Sequence, residues 1–344
     1  MLNVSSLSLI IVAIGLAGCQ SDFKQDAQPE QTMHASQSVY EAEFQFAQQF
    51  YSQTQMLEKE FESYCNASDK SLSNLKRQWH QTMLAWMSLQ GQERGPTQAI
   101  EKGWKVQFWP DKKNTTGRKM SALSQSDVTW TAEEISEQSV TVQGLGAIEW
   151  LLYDSASNLS SDHNTCNISI AIAQNLKNTA QTIAQAWSLN PWQSLSKTAW
   201  LSEYTALLSN QLDYSMKKLS RPLAKIGQPR AYFSESWRSK TSLDNLKVNL
   251  LSLNTLYLAN GKGVDALLRT TGHDKMADRI VNQFERILST WPKESSVFDM
   301  LQTKEGYRNL LSLYNKLEQL KYLIHEEMAI ELGVVIGFNA TDGD

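Results

Sequence analysis

Glu149 sits in the run Gly144-Leu145-Gly146-Ala147-Ile148-Glu149-Trp150-Leu151-Leu152-Tyr153. On a helix its neighbours at three and four residues are Leu145, Gly146, Leu152 and Tyr153, so no face of that turn is polar. Glutamate is seldom fully buried unless paired, and an unpaired carboxylate in an apolar setting is costly. Something must therefore compensate Glu149: an arginine, a hydrogen-bond network, a metal ion or a proton. The sequence leaves two roles open for it, a metal or ligand contact and a structural lock.

Four further residues carry binding chemistry. Asp111 closes Phe108-Trp109-Pro110-Asp111, a loop position where a carboxylate serves as a ligand or as a turn and helix-cap acceptor. Trp109 and Trp237 offer rings for stacking. Arg238, beside Trp237, could pair with Glu149, lock two domains, or hold an anionic ligand through two parallel bonds. Trp109, Asp111, Trp237 and Arg238 are the candidate ligand-binding set. Most of the 11 tryptophans fall on apolar seams and read as core rather than as a platform for sugars or haem.

A catalytic zinc centre needs about three protein ligands, an open position and a base. The five histidines are His34, His80, His163, His273 and His325, and none builds His-Glu-x-x-His. His325-Glu326-Glu327 lacks a second histidine four residues on. His34 falls in an N-terminal tether, and His80 and His273 read as surface residues. No Gly-x-Ser-x-Gly, phosphate loop or reactive cysteine with a paired histidine is present. No catalytic residue is assigned.

The elements that must position these residues read as helices. A first helix spans about 39–64. A second, about 71–89, carries Leu75, Trp79, Met83, Trp86 and Leu89 in steps of three and four. An irregular insert, 91–126, is marked by Gly95-Pro96, Trp109-Pro110 and Gly117. Helices near 166–187 and 196–219 follow, and Arg221-Pro222 with Gly227-Gln228-Pro229 marks a domain boundary. Thr241-Ser242-Leu243-Asp244 reads as a capping-box variant. Leu243, Leu246, Leu250, Leu253 and Tyr257 follow it, then helices over about 274–290 and 304–332. The expected fold is all-α: two tandem four-helix-bundle-like domains, 39–225 with the insert and 226–344.

The N-terminus points to the cell envelope. The apolar run Leu9 to Leu16 has the length of a signal-peptide core and is too short to span a bilayer. It ends in Leu16-Ala17-Gly18-Cys19, the form of a lipobox, with Cys19 as the lipidated residue. Residues 1–18 are then a lipoprotein signal peptide and 19–38 a polar tether. Gln20 after the cysteine points to the outer membrane, periplasmic face. The membrane, through this lipid, is one expected partner, and a periplasmic metal or protein is another. The net charge of -4 and the lack of basic runs argue against nucleic acid. Cys65 and Cys166 remain, and in an oxidising compartment the pair is expected to form a disulfide.

Several of these strings in order resemble the imelysin-like proteins, grouped as peptidase family M75. They are Trp79 with Trp86, Gly95-Pro96, Phe108-Trp109-Pro110-Asp111, Gly144 to Leu152, Cys166, Glu235-Ser236-Trp237-Arg238-Ser239, and the ending Gly333 to Asp344. The resemblance implies two related helical bundles with a site between them. It also implies a periplasmic or outer-membrane lipoprotein linked to iron supply, with iron or another divalent metal as the implied cofactor class. Some members carry Gly-x-His-x-x-Glu. Here Gly144, Gly146 and Glu149 occupy those positions, so the carboxylate is kept and the imidazole is missing. The reading is therefore a non-catalytic protein binding a metal, an iron species or a partner, with an M75-type metallopeptidase and a structural interaction module as rivals.

Overall fold

Helix α1 (Gln37–Asn66) buries Val39, Glu43, Ala47, Phe50, Thr54, Leu57, Phe61 and Tyr64, a stripe in steps of three and four. One side of α1 is therefore drawn out of water while its other faces stay polar. The computed structural model describes residues 33–67, 71–126 and 128–334. Cys19, the signal segment and the ending from 335 onward lie outside the described residues.

The other helices follow the same logic. α2 (Leu72–Met87) is capped by Ser71, whose side chain accepts the Ser73 N–H. Three helices occupy the stretch expected to be irregular: α3 (Thr97–Ile100), α4 (Gly103–Val106) and α5 (Thr115–Ser124). Each is short, so turn residues dominated the sequence pattern there. α6 (Ala132–Glu137) starts with a full capping box between Thr131 and Glu134. α7 (Gly144–Tyr153) carries Glu149, and α8 (His163–Ala186) starts at the Asp162 cap. α1 packs on α8 and α2, and α7 packs on α8, α2 and α5. Cys65 and Cys166 are joined in a disulfide, Cα–Cα 5.7 Å, which ties the end of α1 to the start of α8.

α9 (Lys197–Leu223) runs through Arg221-Pro222, where the sequence suggested a break. Pro222 lies in the last turn, and the helix ends one residue beyond it, at Leu223. α10 (Ser242–Leu258) buries all five residues of its expected stripe. The capping box expected at Thr241 is not made. Ser242 Oγ instead accepts the Val297 N–H at 2.9 Å, and the Leu243 N–H goes to Ser295 O at 2.8 Å. α11 (Val264–Thr270), α12 (Asp274–Ser289), α13 (Val297–Met300) and α14 (Lys304–Lys321) follow. The expected single helix over 304–332 is interrupted by a π-helical segment, Tyr322–Glu327, before α15 (Met328–Glu331).

α9 packs on both α10 and α14, and α10 also packs on α2. From His34 onward the described residues form one compact unit. His34 belongs to this body rather than to a tether, since its Nε2 lies 2.9 Å from Leu195 O. No strand occurs among the described residues, and no described helix is long and apolar enough to cross a membrane.

Candidate functional site

Gly144 sets the position of the Glu149 helix. Its φ of +66° suits glycine, and a Cβ there would lie 2.1 Å from Val106 O. The start of α7 therefore presses directly on the end of α4. This holds the loop 107–111 across from Glu149. A Cβ at Gly146, by contrast, would have no neighbour within 4 Å. That open space belongs to a cavity of about 40 Å³ bordered by Gly146, Glu149, Trp109, Asp111, Trp237 and Arg238. All five sequence-derived ligand candidates thus converge on one small hollow. It has room for a few water molecules or the tip of a ligand.

Glu149 is 5% exposed. Its Oε1 accepts the Ser239 N–H and the Ser239 hydroxyl, each at 2.8 Å. Burial pushes the carboxyl above its ordinary range, while the two Ser239 donors and nearby Arg238 pull it back and Glu235 pushes it further up. Burial and the Glu149 charge together raise Tyr153 to about 12. Compensation at Glu149 thus comes first from the two Ser239 hydrogen bonds, with Arg238 nearby but bonded elsewhere.

The pairing of Arg238 with Glu149 that the sequence allowed is not made. Arg238 Nε lies 2.8 Å from Asp154 Oδ2, and its Nη2 donates to Asn114 Oδ1 at 2.8 Å. The guanidinium stacks on Trp237, 4.2 Å from the ring centroid. Asp111 follows its capping alternative: Oδ1 accepts the Thr115 N–H and Oδ2 the Thr116 N–H at the start of α5. Trp109 donates its indole N–H to Phe233 O at 3.2 Å. Trp237 forms an aromatic trio with Tyr232 and Phe298, centroids 5.0 to 6.0 Å apart, at the rim of the cavity.

Beside the cavity lies a polar network that sequence reasoning did not foresee. Lys218 Nζ and Glu235 Oε2 form an almost fully buried ion pair, 2.7 Å apart. Glu235 Oε1 also accepts from Gln90 at 2.7 Å and Gln107 at 3.0 Å, and Oε2 accepts from Asn245 at 3.2 Å. Lys218 reaches Asn249 Oδ1 at 2.6 Å. Burial lowers the Lys218 ammonium, against the pull of Glu235. A signal existed in α10: Ser242, Asn245, Asn249 and Ser252 recur in steps of three and four beside the leucine stripe. His80, expected at the surface, is half-buried with its Nε2 unpartnered among the described residues. Burial lowers its pKa.

The donor set of the cavity does not suit a resident metal. Among the described residues no three His, Cys, Asp or Glu side chains come together as metal ligands. Both Asp111 oxygens cap α5, Glu149 Oε1 is occupied by Ser239, and Gly146 contributes no donor. A metal centre built from protein ligands alone does not fit this cavity.

Fold and site together define an all-helical protein with a small polar cavity at a buried glutamate. The imelysin family model, peptidase family M75, matches residues 43–324, and the chain belongs to that family. Among solved structures, an imelysin-like protein from Psychrobacter arcticum 273-4 is similar, at 18% identity and a TM-score of 0.73. That match covers 89% of this chain and 98% of the other. An iron-regulated protein A precursor from Parabacteroides distasonis ATCC 8503 is also similar, at 12% identity and a TM-score of 0.61. It covers 88% of this chain and 97% of its own. These two likenesses show the fold. No curated protein matches the chain.

Proposed function

We propose that this chain is a non-catalytic binding protein of the bacterial envelope, anchored through Cys19 to the outer membrane and facing the periplasm. Its binding site is the cavity at Glu149. The observation that carries this reading is the convergence of Trp109, Asp111, Gly146, Glu149, Trp237 and Arg238 on one hollow. The Glu149 carboxyl, pushed above its ordinary range by burial, supplies the polar end of the hollow. The aromatic rim supplies apolar contact. Such a site suits a protein partner, or an iron complex that brings its own donors. The iron link enters through the name of the Parabacteroides relative. Peptide hydrolysis is disfavoured by the donor set: a metallopeptidase needs about three ligands and an activated water.

Thermal melts of tag-free protein with and without iron or zinc salts test this reading. Wild type should gain no metal-dependent stability. Glu149→Gln keeps the shape and an oxygen that can accept the Ser239 donors, so it should stay within about 1 kcal/mol of wild type. Glu149→Ala leaves the Ser239 donors unpaired and should cost about 1–3 kcal/mol. A metal-dependent rise in Tm that Glu149→Gln abolishes would restore the metal-centre reading.

A further inference from the structure

A second cavity, of about 280 Å³, shares Gln107 and Trp109 with the first. Five of its fifteen lining residues are aromatic: Trp86, Trp104, Trp109, Trp187 and Tyr214. The chain is fitted tightly to one of those rings. Gly95 has φ +133°, and a Cβ there would lie 2.7 Å from the Trp187 ring. The indole N–H of Trp86 is spent on Gln107 Oε1 at 3.0 Å, and that of Trp109 on Phe233 O. What these two rings offer the cavity is therefore carbon and π density. The amides are spent as well, since Gln90 and Gln107 both donate to Glu235 Oε1. A sugar would find few free side-chain partners for its hydroxyls.

Charge narrows the choice further. Glu93 is the one carboxylate among the lining residues, it is exposed, and no Lys, Arg or His lines the cavity. Indole faces attract cations through the ring quadrupole. Arg221, which does not line the cavity, already lies 5.9 Å from the Trp109 centroid. The volume falls below the usual range for drug-sized ligands.

We propose that this cavity binds a small organic cation of the quaternary-ammonium type, caged by indoles and countered by Glu93. This site is distinct from the one at Glu149 and goes beyond the function proposed above. The test is calorimetric titration of the full mature chain with choline and tetramethylammonium. The uncharged isostere 3,3-dimethylbutan-1-ol serves as the control. Choline should saturate one site, and the isostere should bind about tenfold more weakly or less, as desolvated cation–π contacts imply. Trp104 is 55% exposed and Glu93 is exposed, so substituting either should leave the fold intact. Trp104→Ala should weaken choline about fivefold or more, and Glu93→Gln about two- to fivefold. Glu149→Gln should leave choline affinity unchanged, which separates this site from the other. The proposal is overturned by no binding of choline at millimolar concentration, by equal affinity for the isostere, or by indifference to both Trp104→Ala and Glu93→Gln.

Discussion

Two glutamates sit inside apolar helix stripes, and both retain protons more strongly than an ordinary carboxyl. Glu43, between Val39 and Ala47 on α1, is fully buried. Its Oε2 accepts from the Gln92 side-chain amide, while Oε1 has no partner among the described residues. Burial raises it from 4.5 to about 8, against the lowering effect of Gln92. The unfolded chain loses this proton near pH 4.5, whereas the folded chain keeps it to about pH 8. The folded state therefore binds the extra proton in that window, and stability falls as pH rises through it. The stability contribution is fully present below pH 4.5 and lost above about pH 8. Glu43→Gln should remove much of that slope and stabilise the protein at pH 8.5 by a few kcal/mol in order of magnitude. Urea melts at pH 5 and 8.5 check this, and equal slopes in wild type and mutant would refute it. The two glutamates differ in how visible they were. Glu149 stood out because every neighbour is apolar. Glu43 was hidden among Tyr40, Glu41 and Phe44, where only the four-residue spacing marks it as inward-facing.

At the scale of elements, the seam between α2, α9 and α10 is polar rather than oily. Ser88 and Ser252 meet there at 2.9 Å, Asn249 donates to Met87 O at 2.6 Å, and Lys218 pairs with Glu235. Removing one partner of a buried pair leaves the other charge uncompensated. Lys218→Met should therefore cost ~3–5 kcal/mol, and Lys218→Met combined with Glu235→Gln should recover much of it. Denaturant melts of the two singles and the double close this cycle, and additive losses would show that the pair is not coupled. The leucine rhythm of α10 was plain in the sequence. Its polar rhythm was not, because serine and asparagine at helical spacing also describe a solvated face. The break at Pro222 misled by position only: the proline does precede the helix end, but the helix runs through it to Leu223 before stopping. The disulfide belongs to this scale too. It closes a loop with a sequence separation of 101 between α1 and α8, which the chain-entropy account values at roughly 4–5 kcal/mol. Denatured, unreduced mature protein should show no free thiol from this pair, and reduction should lower Tm by several degrees. Two titratable thiols would contradict it.

At the scale of the whole molecule, fold class was legible because long amphipathic helices dominate the pattern. Family membership was legible because several weak strings recur in one order, from Trp79 to Arg238. The candidate site was legible as a set of residues that the fold brings around one hollow, but not as a set of bonds. The sequence brought Glu149 and Arg238 together in expectation, whereas Arg238 turns to Asp154 and Asn114 instead. Nothing in a one-dimensional pattern ranks two acidic partners that both become reachable only after folding. The location of the molecule rests on Leu16-Ala17-Gly18-Cys19. If Cys19 carries the lipid, Cys19→Ala should abolish incorporation of labelled palmitate and move the protein from the membrane fraction to the periplasmic extract. The helical body should be unaffected, since α1 begins only at Gln37. The released mutant should therefore melt within about 0.5 kcal/mol of a detergent-solubilised wild type, as expected for a change outside the packed core. Retention of Cys19→Ala in the membrane fraction would show that another segment anchors the chain. A large loss of Tm would show that residues ahead of His34 contribute to the fold.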